Sequence, residues 1–324
     1  MQYFIHFIEQ YSDYFCFLAV ALCSFLFSLP KDLNPLSVIE LLFQQIAKKV
    51  NLDDRSDSYK RVASLLSISI VYLPCGVIIS QLYNVVLKPM FLDMLLLFLL
   101  LSWHDKKLIY RQIIDAIRHN NLAIAKFKLA TLTQRDTKPL TLTGVSKASI
   151  ESMILQVAAS WFAVVFWYLV GGIYTVLLYR IIQICAQQWN AKQSEFSALT
   201  SIPTFIYSAM LFPVHLLMTV TFAFYDKPLG NIIQNVKQSI QWHHLSSGLM
   251  LSSFALGMKI ELGGIRLYQE QKITYSTMGI GKAPNVTKIE QSLQRLSLSA
   301  WFWLICISGY TFFPLILQFL TLNR

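Results

Sequence analysis

Residues 155–179 read LQVAASWFAVVFWYLVGGIYTVLLY, a run without one charged side chain, bounded by Glu151 and Arg180. A bilayer-crossing helix needs roughly 20 predominantly apolar residues. The run therefore reads as a transmembrane helix, and that reading decides the fold class. Working outward, residues 14–29, 62–87, 89–103, 199–225 and 300–320 have comparable character. The third of these is short, and only Lys88 and Pro89 separate it from 62–87, so the two read as a tight helical hairpin. No Lys or Arg precedes 14–29 and no small-x-small cleavage pattern follows, so it reads as a retained span rather than a signal peptide. The expected fold is all-α: a polytopic inner-membrane helical protein of about six transmembrane helices, one domain over residues 1–324, with amphipathic helices on the cytoplasmic side.

Composition agrees. The 324 residues are 55% apolar and 14% charged, with mean hydropathy +0.50, whereas soluble domains carry roughly a quarter charged residues. So few charges cannot coat two soluble bodies, and 22 Phe, 15 Tyr and 7 Trp exclude a disordered or fibrous chain. Segments 30–61, 104–154 and 226–299 hold all Lys and Arg except Lys88, Arg180, Lys192 and Arg324. Basic residues gather in cytoplasmic loops, which puts these three segments in the cytoplasm and both termini outside. The net charge of +10 is thereby explained without nucleic acid, because no basic stripe interleaves with exposed aromatics. Cys16, Cys23, Cys75, Cys185 and Cys306 lie in apolar stretches without CxxC spacing, which indicates neither a disulfide framework nor a zinc site.

The three segments differ in character. The first carries an amphipathic helix from Pro35 to Val50, with Val38, Leu41, Leu42 and Ile46 at helical spacing. Its acidic stretch from Asp53 to Asp57 reads as a solvated turn. The second has helical periodicity from Lys107 to Leu132 through Ile109, Ile113, Ile117, Leu122, Ala125 and Leu129. It breaks at 133–139, and a further helix after Gly144 runs into the span. That segment is either a basic helix against headgroups or a charged lid over an active-site mouth. The third contains a helical stretch to His244, an apolar turn and a glycine-rich tail. In that tail Gly279-x-Gly281-Lys282 can present N–H groups to a phosphate, although it matches neither a P-loop nor a dinucleotide fingerprint.

Taken in order, Arg135-Asp136-Thr137, Glu151-Ser152, Phe166-Trp167, Gly171-Gly172, Tyr179-Arg180, Gly248, Leu262-Gly263-Gly264 and Gly279-x-Gly281-Lys282 form a collinear series. The chain resembles, from about Pro30 to Leu320, the CobD/CbiB family of membrane proteins, adenosylcobinamide-phosphate synthases of cobalamin biosynthesis. It departs from the family's pattern at Leu155-Gln156, where Glu-Asn is usual, and at Ala159 and Ile280, where an acid is usual. Gln183, Ile184, Cys185 and Ala186 stand where the family runs Asn-Thr-Leu-Asp, and Phe205 stands at an arginine position. AmpE-like proteins, a sister group, share Phe166-Trp167-Tyr168 and Tyr179-Arg180.

The resemblance implies an ATP-dependent ligase joining aminopropanol, or its phosphate, to a propionate carboxyl of adenosylcobyric acid. A carboxylate is a poor electrophile until one oxygen becomes a leaving group, so such a site needs phosphate cations and metal or base carboxylates. By resemblance, Arg135 and Lys282 supply the cations, Asp136 and Glu151 the carboxylates, with Thr137 beside them. Tyr179, Arg180, Gly248, Gly263, Gly264, Gly279 and Gly281 are the residues implied for cofactor binding, the cofactors being ATP and Mg2+. Arg135, Asp136, Glu151 and Lys282 are expected to converge on one cytoplasmic mouth, with Arg180 near the far end of its span. Asp136→Asn is then expected to lower product formation on the order of 100-fold. Implied partners are the corrinoid, the amine, membrane lipid and other corrinoid-pathway membrane enzymes. Two further readings stand beside the ligase: a non-catalytic paralogue acting as scaffold or AmpE-like signalling protein, and a transporter. For the transporter, Asp93 and Arg180 are too few charges within spans.

Overall fold

The computed structural model describes residues 11–30, 34–52, 55–189, 197–224, 232–242, 244–268 and 270–322. The first helices are α1 (Ser12–Leu26), α2 (Pro35–Val50), α3 (Asp57–Val85) and α4 (Pro89–Leu100). Helix α2 starts as its sequence dictates: Pro35 needs no N–H partner in the first turn, and the Asn34 side chain accepts from the Leu36 N–H at 3.0 Å. Its packed face is Leu36, Ile39, Phe43 and Ala47, while Val38, Leu41 and Leu42 stay exposed. Helix α3 likewise leaves Leu66, Ile70, Leu73 and Val77 uncovered. The α3 stripe belongs to a helix long and apolar enough to cross a membrane. Helix α4 has 12 residues, about 18 Å of rise, against roughly 30 Å of hydrocarbon.

The helical periodicity expected from Lys107 to Leu132 is realised as α5 (Trp103–Arg118) and α6 (Leu122–Ala130), with a corner at Asn120. Ile113, Ile117, Ala125 and Leu129 are buried, as their spacing requires.

Residues 155–179 do not form the single straight helix expected of them. They lie in α7 (Leu142–Val157), a π-helical turn (Ala158–Phe162) and α8 (Ala163–Gln188), but Gly171 (φ −152°, ψ 21°) and Gly172 (φ 68°, ψ −159°) break the helix. The Tyr179 hydroxyl donates to the Ala159 carbonyl at 2.6 Å, and Thr175 Oγ1 donates to the Trp167 carbonyl at 2.7 Å. In a straight helix, residues twenty apart would be separated by about 30 Å. The second leg therefore folds back antiparallel along the first, and 155–179 is not one crossing. Hydropathy is blind to this reversal because both legs and the Gly-Gly corner are equally apolar.

Arg180 consequently returns to the level of Ser102. Arg180 Nη2 donates to the Ser102 hydroxyl at 3.2 Å, and the Ser102 N–H donates to the Ser160 carbonyl at 3.3 Å. Gln187 and Lys138 are both exposed, so cysteines placed at these two positions are expected to react with an impermeant maleimide from the same side of the membrane. Labelling of Gln187→Cys only from the opposite side would restore the single span.

The remaining elements are α9 (Ser197–Ala223), α10 (Ile232–Ile240), α11 (Leu245–Met258), β1 (Glu261–Tyr268), β2 (Gln271–Gly279) and α12 (Val286–Leu322). The expected apolar turn is the buried helix α11, which bonds α9 through His215–Ser246 (3.2 Å) and Ser253–Thr219 (3.1 Å). Helix α12 runs antiparallel to α1: Trp301 packs on Phe25 (ring centroids 5.9 Å), Ser308 bonds Tyr14, and Phe312 packs on Tyr11 (5.2 Å). The start of α1 and the 308–312 turns thus share one end of the bundle. Four helices among the described residues are long and apolar enough to span a membrane. The fold is predominantly helical and membrane-like, as expected, with one addition, the antiparallel β1–β2 hairpin.

Candidate functional site

Glu151 is 1% exposed and sits on α7, four residues before the apolar run begins. Its Oε2 accepts from Arg135 Nη2 and lies 3.1 Å from Arg266 Nη2; its Oε1 accepts the Gly263 N–H at 2.6 Å. Arg135 comes from the 133–139 break, and Arg266 and Gly263 come from β1, so one carboxylate ties three segments together. Burial alone would raise the Glu151 carboxyl, but the Arg266 and Arg135 guanidiniums and the Gly263 N–H outweigh it and hold it below the usual range. Burial works against the Arg266 charge too, and Glu151 and Tyr268 more than offset it. The Arg266 guanidinium also lies over Trp242 (4.7 Å) and Tyr275 (4.2 Å). Gly263 is dictated by close approach: with φ +81°, a Cβ there would sit 2.2 Å from the Ser276 carbonyl oxygen.

Around this knot lie three compartments that meet at Gln156 and Gln187, one residue from each helical leg. An aromatic compartment of about 310 Å³ is walled by Leu155, Tyr207, Leu211, His215, Trp242 and Tyr275. A central one of about 380 Å³ holds Arg135, Glu151, Ser152 and Arg266. The third, about 170 Å³, holds Glu40, Ser102, Asp105, Lys106, Arg180 and Gln183. Leu155, Gln156, Ala159, Gln183 and Ile184, all positions that depart from the family's pattern, line this cleft.

The structure joins Arg135 to Glu151 but does not gather the other two expected partners. The Asp136 N–H donates to the Leu267 carbonyl at 2.9 Å, and its Oδ2 accepts the Glu270 N–H at 3.1 Å, so Asp136 pins the tip of the hairpin. Lys282 is at the hairpin's base, where its carbonyl accepts the Glu261 N–H at 3.2 Å. Six residue steps along β1, from Glu261 to Leu267, separate these anchor points, about 20 Å by strand rise. Thr137 is buried, and its carbonyl caps Leu140 at 3.2 Å.

The residues implied for ATP are mostly spent on the fold. The Gly279 N–H donates to Gln238 Oε1 at 2.8 Å, and a Cβ at Gly279 (φ +87°) would lie 2.0 Å from the Ile260 carbonyl oxygen. The glycine-lysine turn therefore closes the base of the β1–β2 hairpin. Gly248 lets α11 approach Trp242 and Ser239, and Tyr179 is committed to Ala159. Gly264 (φ +99°) and Gly281 (φ +127°) serve backbone conformations of the same hairpin. Of that set, Arg180 lines the cleft. Among the described residues no group of three or more His, Cys, Asp or Glu could hold a metal ion.

Sequence reasoning missed Arg266, Gln187, His215 and Trp242 as site residues. A period-two reading of 262, 264, 266 and 268 ahead of a polar turn would have put Arg266 on the inward face of a strand. The Lys147–Glu261 pair (2.5 Å) is partly exposed, so Lys147→Ala is expected to cost less than about 1 kcal/mol in thermal unfolding.

A bundle of apolar helices with a helical hairpin and an arginine-lined cleft defines a helical membrane protein with a polar cleft at one end of the hairpin legs. The chain belongs to the CobD/CbiB family: the family model described as CobD/Cbib protein matches residues 16–296. Similar chains include the cobalamin biosynthesis protein CobD of Stutzerimonas stutzeri (strain A1501), 24% identical over 193 residues, covering 60% of this chain and 64% of that protein. The CobD of Chromobacterium violaceum is 23% identical over 192 residues, 58% of this chain and 60% of its own. That of Leptospira interrogans serovar Lai is 22% identical over 302 residues, 88% and 94%. The match thus spans less than two thirds of the first two relatives and nearly all of the third. No solved structure matches the chain.

Proposed function

We propose that the chain acts in cobalamin biosynthesis in the bacterial inner membrane, at the step that joins aminopropanol or its phosphate to a propionate carboxyl of adenosylcobyric acid. Family membership supports the pathway, and Arg266 carries the assignment of the site. Arg266 Nε and Arg135 Nε are buried without a hydrogen-bond acceptor, while Arg266 Nη2 is ion-paired with Glu151. Each such donor costs about 1–3 kcal/mol, which a ligand carboxylate would recover. Trp242 and Tyr275 hold the guanidinium plane, and the aromatic compartment beside it suits the apolar edge of a macrocycle. Arg266 binds and orients the propionate, Glu151 holds both guanidiniums in place, and Gln156 and Gln187 offer amides where the amine arrives. The cytoplasmic placement of this cleft belongs to the same proposal and follows the distribution of basic residues.

A second reading, a non-catalytic corrinoid-pathway paralogue acting as scaffold or signalling protein, is favoured by Glu151, whose two oxygens are already engaged. Feeding adenosylcobyric acid to a synthase-deleted strain carrying this chain separates them: cobinamide product in the mass spectrum supports the ligase, and its absence with corrinoid still bound supports the paralogue. Asp136→Asn keeps an oxygen for the Glu270 N–H, so product formation is expected to stay within about threefold of wild type, a change of under 1 kcal/mol. Lys282→Ala, which removes a side chain without a described partner, is expected to behave the same way. A loss near 100-fold in either would return that residue to the chemistry.

A further inference from the structure

We propose that a basic cleft where α11 meets α12 binds an anionic phospholipid, with its phosphate on Lys259, Lys288 and Arg295 and an acyl chain on the adjoining apolar face of α12. The cleft encloses about 440 Å³, and Gln291, Gln294 and Leu298 also line it. No carboxylate is among the described residues on its walls. The carboxylates nearest in sequence, Glu261 and Glu290, are paired with Lys147 (2.5 Å) and Arg118 (2.6 Å). Part of the basic character serves the fold: Lys288 Nζ donates to the Met258 carbonyl at 2.9 Å and so caps α11. Lys259, the residue that ends α11, is exposed. Arg295 lies seven residues beyond Lys288, about 10 Å along the axis, whereas the pull of a helix end falls off within a turn. Capping therefore does not account for cations spread over two turns.

The continuation of the same face singles out a lipid. Lys288, Gln291, Arg295, Leu298, Phe302 and Ile305 follow one another in steps of three and four, the spacing of one helix face. The face is polar as far as Arg295 and apolar from Leu298 onward. Leu298, Trp301, Phe302 and Ile305 are all exposed, on a helix long and apolar enough to cross a membrane. Phe224, just after α9, meets Phe302 (ring centroids 6.2 Å) and extends the apolar ledge. Cations, then interfacial aromatics, then an apolar ledge match the headgroup, glycerol level and acyl chain of one amphiphile. A soluble phosphate would use only the polar half. The cleft shares no lining residue with the three compartments around Glu151, and the inference does not depend on the amide-forming reading.

Brominated acyl chains quench tryptophan on contact, and Trp301 stands at the ledge, so its signal is read as wild type minus Trp301→Phe. The full chain is reconstituted in phosphatidylcholine vesicles with rising fractions of dibrominated phosphatidylglycerol or dibrominated phosphatidylcholine. Each cation near a membrane surface is worth about fivefold in binding, so phosphatidylglycerol is expected to quench Trp301 at a mole fraction at least about tenfold lower. Lys259→Gln and Arg295→Gln are each expected to cut that preference about fivefold, and together to abolish it. Lys272→Gln, which removes equal charge near the tip of the β-hairpin, is expected to leave it unchanged. No preference in wild type, or an unchanged one in the double variant, overturns the proposal. Equal loss in Lys272→Gln also overturns it, because the lipid would then be answering the net charge of +10 and not the cleft. Displacement of the brominated lipid by glycerol 3-phosphate or ATP at constant ionic strength would assign the cleft to a soluble phosphate and overturn the lipid. Should Arg295→Gln fail to fold, the exposed Lys259 decides alone, an unchanged preference in Lys259→Gln overturning the proposal.

Discussion

Glu151→Ala is expected to cost about 3–5 kcal/mol of stability, the penalty for stranding buried charge. The side chain is the only described acceptor shared by Arg135, Arg266 and the Gly263 N–H. Without it two guanidiniums face each other in a buried space, and β1 loses its attachment to α7. Thermal unfolding in detergent should show the loss, and protease should cut the 268–271 turn faster. The pH dependence has a definite sign. A carboxyl held below its ordinary value contributes stability above its unfolded value, near pH 4.3 by reference, and loses it as pH falls through the lowered folded value. Wild type should therefore lose stability on acidification through that window, and Glu151→Ala should lack that part of the acid limb. A variant as stable as wild type with an unchanged acid limb would show that the knot does not hold the hairpin.

Arg266→Met is expected to weaken corrinoid binding by about 30- to 100-fold, equivalent to the roughly 2–3 kcal/mol of a charge-assisted hydrogen bond to a carboxylate. Methionine fills the slot between Trp242 and Tyr275, and Arg135 with Gly263 still satisfies Glu151, so the fold should survive. Arg266→Lys should recover only part of the affinity, because an ammonium keeps the charge but not the planar, stacked donor edge. Equilibrium dialysis against adenosylcobyric acid reads both. Equal affinity in wild type and Arg266→Met would remove the central compartment as the carboxylate site.

Much of the helical framework was legible because its signals are local. Pro35 after Asn34 marked the start of α2, and the Ile109–Leu129 spacing marked the buried face of α5 and α6. The reversal at Gly171–Gly172 was not legible from hydropathy, since a reversed leg is as apolar as a continued one. Arg180 was consequently placed at the wrong end of its run, although the residue itself was recognised. The β1–β2 hairpin escaped notice because its glycines were read for ligand contact; at Gly263 and Gly279 they are demanded by neighbouring carbonyls. Of the expected site, Arg135 and Glu151 were legible as a pair. Their third partner, Arg266, is 115 residues beyond Glu151 and reaches it only through strand placement, which no local pattern announces.

The cleft where the two helical legs meet the β-hairpin is proposed to handle a corrinoid carboxylate and an amine. Its most direct test is to incubate the purified chain in lipid nanodiscs with adenosylcobyric acid, Mg-ATP and aminopropanol or its phosphate, and to follow the corrinoid by mass spectrometry. The expected result is a corrinoid gaining the mass of the condensed amine, with the yield cut at least about 30-fold by Arg266→Met. Unchanged corrinoid from wild type, bound no more tightly than to Arg266→Met, would contradict it.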